Sequence, residues 1–384
     1  MAFFNSKVAV EYFKLLNPTI TLQVKDVKNT PIIIDSSLVE QVEKMAKQNV
    51  ELCKWDWDLH ETSWDFEKNV LIQKVKLISE AYSHYEEESY QKFIELKRNE
   101  EKLNSIFISI YKLNNEIISE VEDKDITIQK ADLSRGIKEF ISYVVGCMFG
   151  RYSLGKTGLI FAGEKWNNSN YQSFIPDSDN CIPITDEEYF SDDIVARFVE
   201  FVKIVYGADT LEENLEFIAK ALGNKGDTSR KIIRNYFLKD FYTDHLKVYQ
   251  KRPIYWLFDS GKQNGFKALI YMHRYDADTV GRVRTDYLHR AQKYVETAMQ
   301  SAQYTIDNAS SASEKSKATK AVTKYTKQLA EMKIYDEAIA HIANQRIEID
   351  LDDGVKVNYA KFQGVEVAQE GKKTLKVDLL AKLK

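Results

Sequence analysis

The amino-acid sequence predicts an α+β protein that is predominantly α-helical. Apolar residues recur at the three- and four-residue spacing of amphipathic helices through most of the chain. Turn-forming residues are few, with 15 Gly and 5 Pro among 384 residues, which favours long helices. Apolar runs such as ALIYM, between turn-rich stretches such as PDSDN, indicate a small number of strands. Because one domain usually holds roughly 100–200 residues, we expect two or three modules.

The first two segments are a short mixed unit and a helical spacer. Residues 1–36 begin with a helical pattern, turn at Asn17-Pro18-Thr19 and continue into the alternating ITLQV and the apolar PIIID, which together predict a helix, a turn and a strand. This unit starts abruptly, so we expect the chain to be a piece of a longer protein. Residues 37–125 predict one helix capped by Ser36 or Ser37 and a longer helix over roughly residues 67–115.

Three further segments complete the chain. Residues 126–282 predict a mixed α/β module that contains a basic segment. Residues 283–346 predict a helical hairpin that turns at NASSASEKS. Residues 347–384 predict a strand pair or strand-turn in IEIDLDDGVKVNY, followed by a basic tail. Within the α/β module the predicted elements are helices at Asp192–Tyr206, Leu211–Leu222 and Thr228–Tyr249 and strands at LIFAG and ALIYM. Thr210 and Glu213 match a capping box.

Cysteine usage and hydropathy indicate a cytoplasmic protein. The three cysteines, Cys53, Cys147 and Cys181, are odd in number and widely spaced, which argues against a disulfide framework. No run of about 18 apolar residues is present, and MAFFNSKVAVEYF lacks the ordered regions of a signal peptide. We therefore expect no membrane segment.

The formal charge of −4 is unevenly distributed along the chain. From Lys225 to Lys293 there are fifteen Lys and Arg against seven Asp and no Glu, so this stretch carries +8 and the remainder −12. Such a stretch, with Gly261 and Gly265 allowing close backbone approach, favours contact with the DNA backbone. The predicted DNA-binding residues are Lys251, Arg252, Lys262, Lys267, Arg274, Arg282 and Arg284.

A structural explanation of the same basic segment stays open. In that alternative its aromatic residues fill a core and its cations pair with neighbouring carboxylates. The aromatic residues concerned are Tyr255, Trp256, Phe258 and Tyr271, and the carboxylates are Asp259, Asp276, Asp278 and Asp286.

Residues Gly150 to Thr157, GRYSLGKT, satisfy the P-loop pattern letter for letter. A phosphate cradle needs a buried strand before the loop and a helix beginning at the Lys-Thr pair. Upstream, Ile137–Phe149 reads as a helix, and downstream Gly158 with LIFAG favours a turn and a strand. The motif is therefore predicted to be a glycine turn rather than a nucleotide site.

Other candidate sites are equally weak. Asp350, Asp352 and Asp353 with Glu370 and Lys372 resemble a metal-dependent nuclease core, but an Asp-Asp-Gly turn explains the acidic residues. Cys53 and His60 lack a second ligand pair with zinc spacing, and His245, His273 and His289 form no dyad with a nucleophile. We predict no catalytic and no metal-binding residue.

An amino-methylating enzyme needs a glycine-rich loop for S-adenosylmethionine and an Asn/Asp-Pro-Pro-Tyr/Phe loop for the target amine. Neither is found in this sequence. The nearest match, Asn17-Pro18-Thr19-Ile20, lacks the second Pro and the aromatic face on which a flipped adenine would stack. We predict no cofactor site in this chain.

Several stretches together resemble the PglX family of BREX phage-defence systems, which combine adenine-specific DNA methyltransferase and specificity functions in one chain. The stretches run through nearly all of the sequence. They are NSKVAVEYFKLLNPT, DLHETSWDF, NEEKLNSIFISIY, YVVGCMFGRYSL, EENLEFIAKAL, YFLKDFYTDHLKVYQKRPIYWLFDSGKQNGFKALIYMHRY and IDLDDGVKVNYAKFQ.

The resemblance implies the carboxy-terminal DNA-binding, specificity and scaffolding portion of an adenine N6-specific DNA methyltransferase, inactive by itself. Residues 1–36 would end a target-recognition unit, and the long helix would be the spacer behind it. S-adenosylmethionine would bind to the missing methyltransferase domain. The implied partners are double-stranded DNA, that domain, upstream or in a separate chain, and other BREX proteins.

Two other function classes stay open. The first is a protein-interaction scaffold that assembles through acidic helices and the hairpin of residues 283–346. The second is a free-standing P-loop NTPase or metal-dependent nuclease, which requires the motifs set aside above.

Overall fold

Helices dominate the computed structural model, which describes residues 1–17, 19, 21–223, 225–369 and 372–383. The helices are α1 (Lys7–Leu16), α2 (Val24–Asn29), α3 (Val39–Asp58), α4 (Ile78–Ile110), α5 (Leu133–Phe149), α6 (Ile194–Tyr206), α7 (Leu211–Leu222), α8 (Ser229–Lys239), α9 (Phe241–Val248), α10 (Thr279–Arg282), α11 (His289–Asn308), α12 (Ala312–Gln345) and α13 (Val355–Ala360). The strands are β1 (Ile182–Pro183), β2 (Tyr255–Asp259), β3 (Lys267–Tyr271), β4 (Val365–Gln369) and β5 (Lys372–Val377). The predicted α+β class with a helical majority is confirmed.

The chain divides into two units. The first unit comprises Met1–Phe66 with Glu80–Leu133, and the second comprises Glu67–Ser79 with Ser134–Lys384. The five predicted segments divide the chain more finely, and their boundaries stay predictions.

The first unit is held together by aromatic packing and by one polar cap. Ser6 caps α1, since its side chain accepts a hydrogen bond from the amide of Ala9. Phe3 packs edge-on to Phe107 at 5.4 Å and stacks on Tyr111 at the same distance. The first residues of the chain are thereby fixed against the last turn of α4.

The strand predicted from ITLQV and PIIID is wrong for the described residues, 21–24 and 31–35. Residues 24–29 form α2, which Gln23 and Asp26 start as a reciprocal capping pair, and residues 31–35 are irregular. No strand is described in the first unit, so residues 31–35 have no neighbouring strand to pair with. Instead, the Tyr111 hydroxyl accepts a hydrogen bond from the amide of Ile33 and donates one to the carbonyl of Pro31. The helix predicted behind Ser36 or Ser37 is confirmed as α3, although Leu38 rather than a serine precedes it. The long helix is also confirmed, but it begins at Ile78 and ends at Ile110.

The core of the second unit forms around a three-stranded antiparallel sheet of order β1-β3-β2. Tyr255 pairs with Tyr271 at one end of the β2–β3 ladder, and Asp259 pairs with Lys267 at the other. All residues of β3 are buried, because helices and loops cover both faces. The second sheet consists of β4 and β5, with Val365 opposite Val377.

A buried ion pair joins the helices that follow β1. The Asp193 side chain accepts from the amides of Val195 and Ala196 and so starts α6. Arg234 of α8 donates to both carboxylate oxygens of Asp193, at 2.7 and 2.8 Å, and to the carbonyl of Thr185. Both charges are therefore satisfied although both side chains are almost fully buried.

Several local predictions in the second unit need correction. The single helix predicted at Thr228–Tyr249 is broken at Asp240, where the chain turns Phe241 against Phe237. Leu211–Leu222 is confirmed as α7, but its predicted capping box is absent, because the Thr210 hydroxyl donates to the carbonyls of Lys76 and Tyr206 instead. ALIYM largely forms β3 as predicted, whereas LIFAG forms no strand.

The hairpin prediction is confirmed, and the tail prediction is partly wrong. Helices α11 and α12 pair around the turn at Ala309 to Ser311. Residues 355–360 form α13 rather than a strand, because Gly354 with φ +79° turns the chain and Asn358 accepts a hydrogen bond from the amide of Asp350. The strand pair lies further along, in β4 and β5.

Candidate nucleic-acid interface

Arg274, a predicted DNA-binding residue, is used inside the fold. Its guanidinium donates to the carbonyl oxygens of Phe149, Asp177 and Ser178 at 3.3, 2.8 and 3.1 Å. It also lies over the Trp166 ring, 4.4 Å from the centroid. The side chain therefore ties three chain segments together and is not available to a phosphate.

Lys267 and Arg282 also have internal partners. Lys267 is buried in β3, where Nζ donates to the carbonyl of Leu238 at 3.0 Å and lies 3.5 Å from Asp259. Arg282 donates to Asp276 at 2.9 Å. Both are pairings that the structural explanation of the basic segment predicts.

Arg284 completes the set of internally paired cations. Its Nε donates to Asp336 of α12 at 2.7 Å, and His289 contacts the same carboxylate oxygen at 2.9 Å. Burial raises the pKa of Asp336, whereas these two hydrogen bonds lower it, and the net shift is downward. The carboxylate thus stays ionised and neutralises the Arg284 charge.

Lys251, Arg252 and Lys262 are the predicted residues left exposed. Among the residues described, none of the three side chains has an ion pair or hydrogen bond. Lys251 and Arg252 precede β2, and Lys262 follows it. At about 3.3 Å per residue, the length of β2 separates Lys262 from the other two by more than about 13 Å. The seven predicted cations therefore do not form one shared surface, and the aromatic residues of the segment fill the core, with Tyr255 and Trp256 fully buried.

Charge is divided between the two units. The first unit holds fourteen Lys and Arg against twenty-three Asp and Glu, a formal charge of −9, which leaves +5 for the second unit. A polyanion is therefore attracted by the second unit and repelled by the first.

A row of exposed lysines on α12 was not identified from the sequence. Lys317, Lys320, Lys324 and Lys327, called the lysine face below, are all exposed. At 100° per residue their positions fall within about 80° of the helix circumference. Between Lys315 and Lys327 there is no Asp or Glu. The three- and four-residue spacing of these lysines is the sequence signal that would have revealed the row.

Two loops bring further lysines to the lysine face. Asp186 binds both Lys324 and Gln328, and Lys231 of α8 donates to the Asp186 carbonyl at 2.8 Å. Gln328 also donates to the carbonyl of Gln263, so the β2–β3 loop that carries Lys262 lies against the same stretch of α12. Lys231 and Lys262 therefore flank the lysine face.

The P-loop match is a filled glycine turn, as predicted. Helix α5 precedes it and no helix begins at Lys156, whose ammonium donates to the Asn170 side chain at 2.7 Å. Gly150 has φ +79°, and a Cβ there would lie 2.4 Å from the Trp166 ring. The described residues around the motif therefore lack the strand, loop and helix of a phosphate cradle.

The described residues of the remaining motifs lie in turns and in packed clusters. Asp350 accepts from the amide of Asp352 and so starts a turn, while Glu370 lies outside the described residues. Cys53 packs half-buried against a small apolar cluster, and burial raises its pKa. Among the residues described, no three of His, Cys, Asp and Glu come together as metal ligands.

The histidines of the basic segment are structural as well. His245 is buried, and its Nε2 accepts from the amides of Ile254 and Tyr255 at 3.2 Å each. Burial lowers the pKa of His245 to about 3 and that of His273 to about 4, with the charge of Arg151 as a second cause in each case. Both rings are therefore neutral near pH 7.

The amide of Asn17 is occupied too. It donates to Asp26 at 2.9 Å, and its oxygen accepts from Thr19. Pro18 and Ile20 of the same tetrad lie outside the described residues. In the part of the chain that the structure describes, no helix combines the length and the apolar character needed to cross a bilayer.

Comparison with known proteins gives two related sequences. The chain is 43% identical, over 94% of its length, to the adenine-specific methyltransferase PglX of Lacticaseibacillus casei strain Zhang. It is thus similar to a portion of a PglX-type adenine-specific methyltransferase. The adenine-specific methyltransferase BrxX of Escherichia coli O9:H4 strain HS is 36% identical over 94% of the chain. No protein-family model matches the chain.

The chain spans about a third of the length of these relatives, 31% of the first and 32% of the second. The PglX-type resemblance predicted from the sequence is thereby confirmed, and a carboxy-terminal portion of such a protein fits this coverage.

Proposed function

We propose that this chain is the DNA-binding, specificity and scaffolding portion of an adenine N6-specific DNA methyltransferase in a BREX phage-defence system. The similarity to two adenine-specific methyltransferases along 94% of the chain carries the proposal. An enzyme that methylates adenine in a duplex must flip the base out, and so must hold the flanking backbone. The positive charge of the second unit supports that role.

Phosphate contact in this proposal falls to Lys251, Arg252 and Lys262, which are exposed and have no internal partner among the described residues. Lys267, Arg274, Arg282 and Arg284 hold the fold of the basic segment instead. Phosphate contacts position a duplex without reading its sequence, so the proposal assigns no base-reading residue.

Methyl transfer is assigned to a separate domain, upstream or in another chain, that binds S-adenosylmethionine. The glycine-rich loop and the Asn/Asp-Pro-Pro-Tyr/Phe loop of an amino-methylating enzyme are not found in this sequence. We therefore derive no catalytic step for the residues of this chain, and we expect it to be inactive by itself. Double-stranded DNA, the methyltransferase domain and other BREX proteins are its proposed partners.

Fluorescence anisotropy with a labelled duplex across a salt series tests DNA binding. The logarithm of the affinity should fall steeply with the logarithm of the salt concentration. Lys251→Gln with Arg252→Gln should reduce that slope by about 1 to 2. Lys44→Gln with Lys47→Gln, two exposed lysines of α3 in the acidic unit, is the matched control and should leave it unchanged. Undetectable or salt-insensitive binding of the unaltered chain would overturn the proposal.

A second candidate function, protein-interaction scaffolding, is favoured by exposed apolar side chains in the first unit. Leu15, Val24, Ile34 and Trp64 are all more than two-thirds exposed, with Trp64 fully so. A protein partner could cover these side chains, as it covers exposed apolar patches at interaction sites. The proposed occupant is the methyltransferase domain.

Size-exclusion chromatography with light scattering tests the scaffold function, using the chain and a purified PglX-type methyltransferase domain in nuclease-treated solution. A one-to-one complex is expected. Leu15→Ser with Ile34→Ser should abolish it, whereas Tyr304→Ser, at an exposed aromatic side chain of α11, should not. A complex that survives the double substitution would refute this assignment of the surface.

A further inference from the structure

We propose that the lysine face of α12 binds the sugar-phosphate backbone of duplex DNA. The inference rests on the proposed function and adds to it a rigid contact element, outside the basic segment between Lys225 and Lys293.

The spacing of the lysine face matches that of backbone phosphates. Lys317 and Lys327 are ten residues apart on one helix, a rise of about 15 Å. One strand of duplex DNA presents a phosphate about every 3.4 Å of axis, so the same length covers about four phosphates. Lys324 is paired with Asp186, so Lys317, Lys320 and Lys327 are the three ammonium groups available for phosphates along this rise.

The lysine face contributes little to the stability of the fold. Lys317, Lys320 and Lys327 have no ion pair or hydrogen bond among the residues described. Like charges three and four residues apart on a helix repel each other and destabilise it by a small amount. The packing of α12 on α11 uses another side of the helix, where Ala318 is buried and Leu329 half-buried. Substituting these lysines would therefore leave the hairpin intact.

The absence of acidic residues between the lysines distinguishes the lysine face from an ordinary solvated helix. Exposed charged helices normally interleave both signs, as α4 does with Glu88 and Lys92 in a pair four residues apart. On α12, five lysines fall between Lys315 and Lys327 without an acid, whereas the rest of the helix, from Gln328, carries three acids and one lysine. The charge is thus concentrated at the end of the hairpin near its turn.

The surroundings extend the surface and favour DNA over a membrane. Lys231 and Lys262 flank the lysine face through the contacts of Asp186 and Gln328. Lys231 is paired with Glu187, so Lys262 is the flanking cation that extends the positive surface beyond the helix. Residues between the lysines on the same side of the helix include Ser316 and Thr323, and no large apolar side chain lies there. A helix that inserts into a bilayer needs such apolar side chains next to its cations.

The test compares two double substitutions that remove the same charge from the same helix. Lys320→Gln with Lys327→Gln alters the lysine face at positions without internal partners. Lys315→Gln with Lys333→Gln alters exposed lysines on the opposite side of α12. Glutamine keeps the helix propensity, which circular dichroism would verify. Affinity for a labelled duplex is measured from 50 to 300 mM salt.

The face variant should bind at least about tenfold more weakly near 100 mM salt, with a salt slope smaller by about 2, and the control should stay within about twofold. Equal losses in both variants would show that only net charge matters and would overturn the inference. Binding of the face variant at the unaltered level would overturn the inference and leave the proposed function standing. If the unaltered chain does not bind DNA, both fall. Competition by polyglutamate as strong per charge as by DNA would also overturn the assignment to DNA.

Discussion

Arg274 separates a structural role from a DNA-binding role more sharply than any other residue of the basic segment. Arg274→Gln removes hydrogen bonds to the carbonyls of Phe149, Asp177 and Ser178 and the stacking on Trp166. The three hydrogen bonds from a charged donor together stabilise the fold by about 3 kcal/mol, and the contact with the indole adds about 0.5 to 1 kcal/mol. At about 2 to 4 °C per kcal/mol, we expect the melting temperature to fall by roughly 7 to 16 °C.

Thermal unfolding and DNA anisotropy are measured on the same protein samples. Arg252→Gln is the matched control, because Arg252 is exposed and its substitution should change the free energy of unfolding by less than about 0.5 kcal/mol. Arg274→Gln should lower the melting temperature and leave the salt slope of DNA binding intact. A variant that melts normally but loses about one unit of that slope would refute the structural role.

Two further predictions concern the core of the second unit. Burial, and secondarily the charge of Arg151, lower the pKa of His245 below the value of roughly 6.5 that it has in the unfolded chain. The unfolded chain therefore binds a proton first as the pH falls. Below about pH 6.5 the free energy of unfolding should decrease by about 1.4 kcal/mol per pH unit. His245→Gln should flatten this dependence in urea titrations from pH 7 to 5, and an unchanged slope would contradict it. Gly150→Ala should cost about 2 to 4 kcal/mol, because a Cβ would lie 2.4 Å from Trp166. Gly207→Ala, at φ +98° but in open space, should cost only the backbone strain of about 1 to 2 kcal/mol, and equal costs would contradict the clash.

Helices with a continuous apolar stripe could be predicted from the sequence, and irregular segments could not. α3, α7 and the α11–α12 hairpin follow directly from helical periodicity. The segments ITLQV and IEIDLDDGVKVNY alternate like strands, but a strand also needs a partner for its backbone. Capping by Asp26 in the first segment and the turn at Gly354 in the second decided the outcome, and both are tertiary or local hydrogen-bond effects that alternation does not encode.

The partners of the predicted cations could not be predicted, because they lie far away in the sequence. Arg274 binds the carbonyl of Asp177, 97 residues before it, and Arg284 binds Asp336, 52 residues after it. A count of charges over a segment cannot distinguish a cation paired in this way from a free one. The lysine face, in contrast, needed only the helical spacing of Lys317, Lys320, Lys324 and Lys327 on a helix that was already predicted.

The division of charge makes the two candidate functions compatible. The first unit has a formal charge of −9 and therefore repels a DNA duplex from most of its surface. At physiological salt this repulsion acts over roughly 8 Å, the distance beyond which charges are screened. Its exposed apolar side chains, Leu15, Ile34 and Trp64 among them, suit a protein partner instead. The second unit, at +5, holds both the lysine face and the exposed Lys251 and Arg252. Protein contact and DNA contact therefore draw on different residues, and a variant that loses one should retain the other.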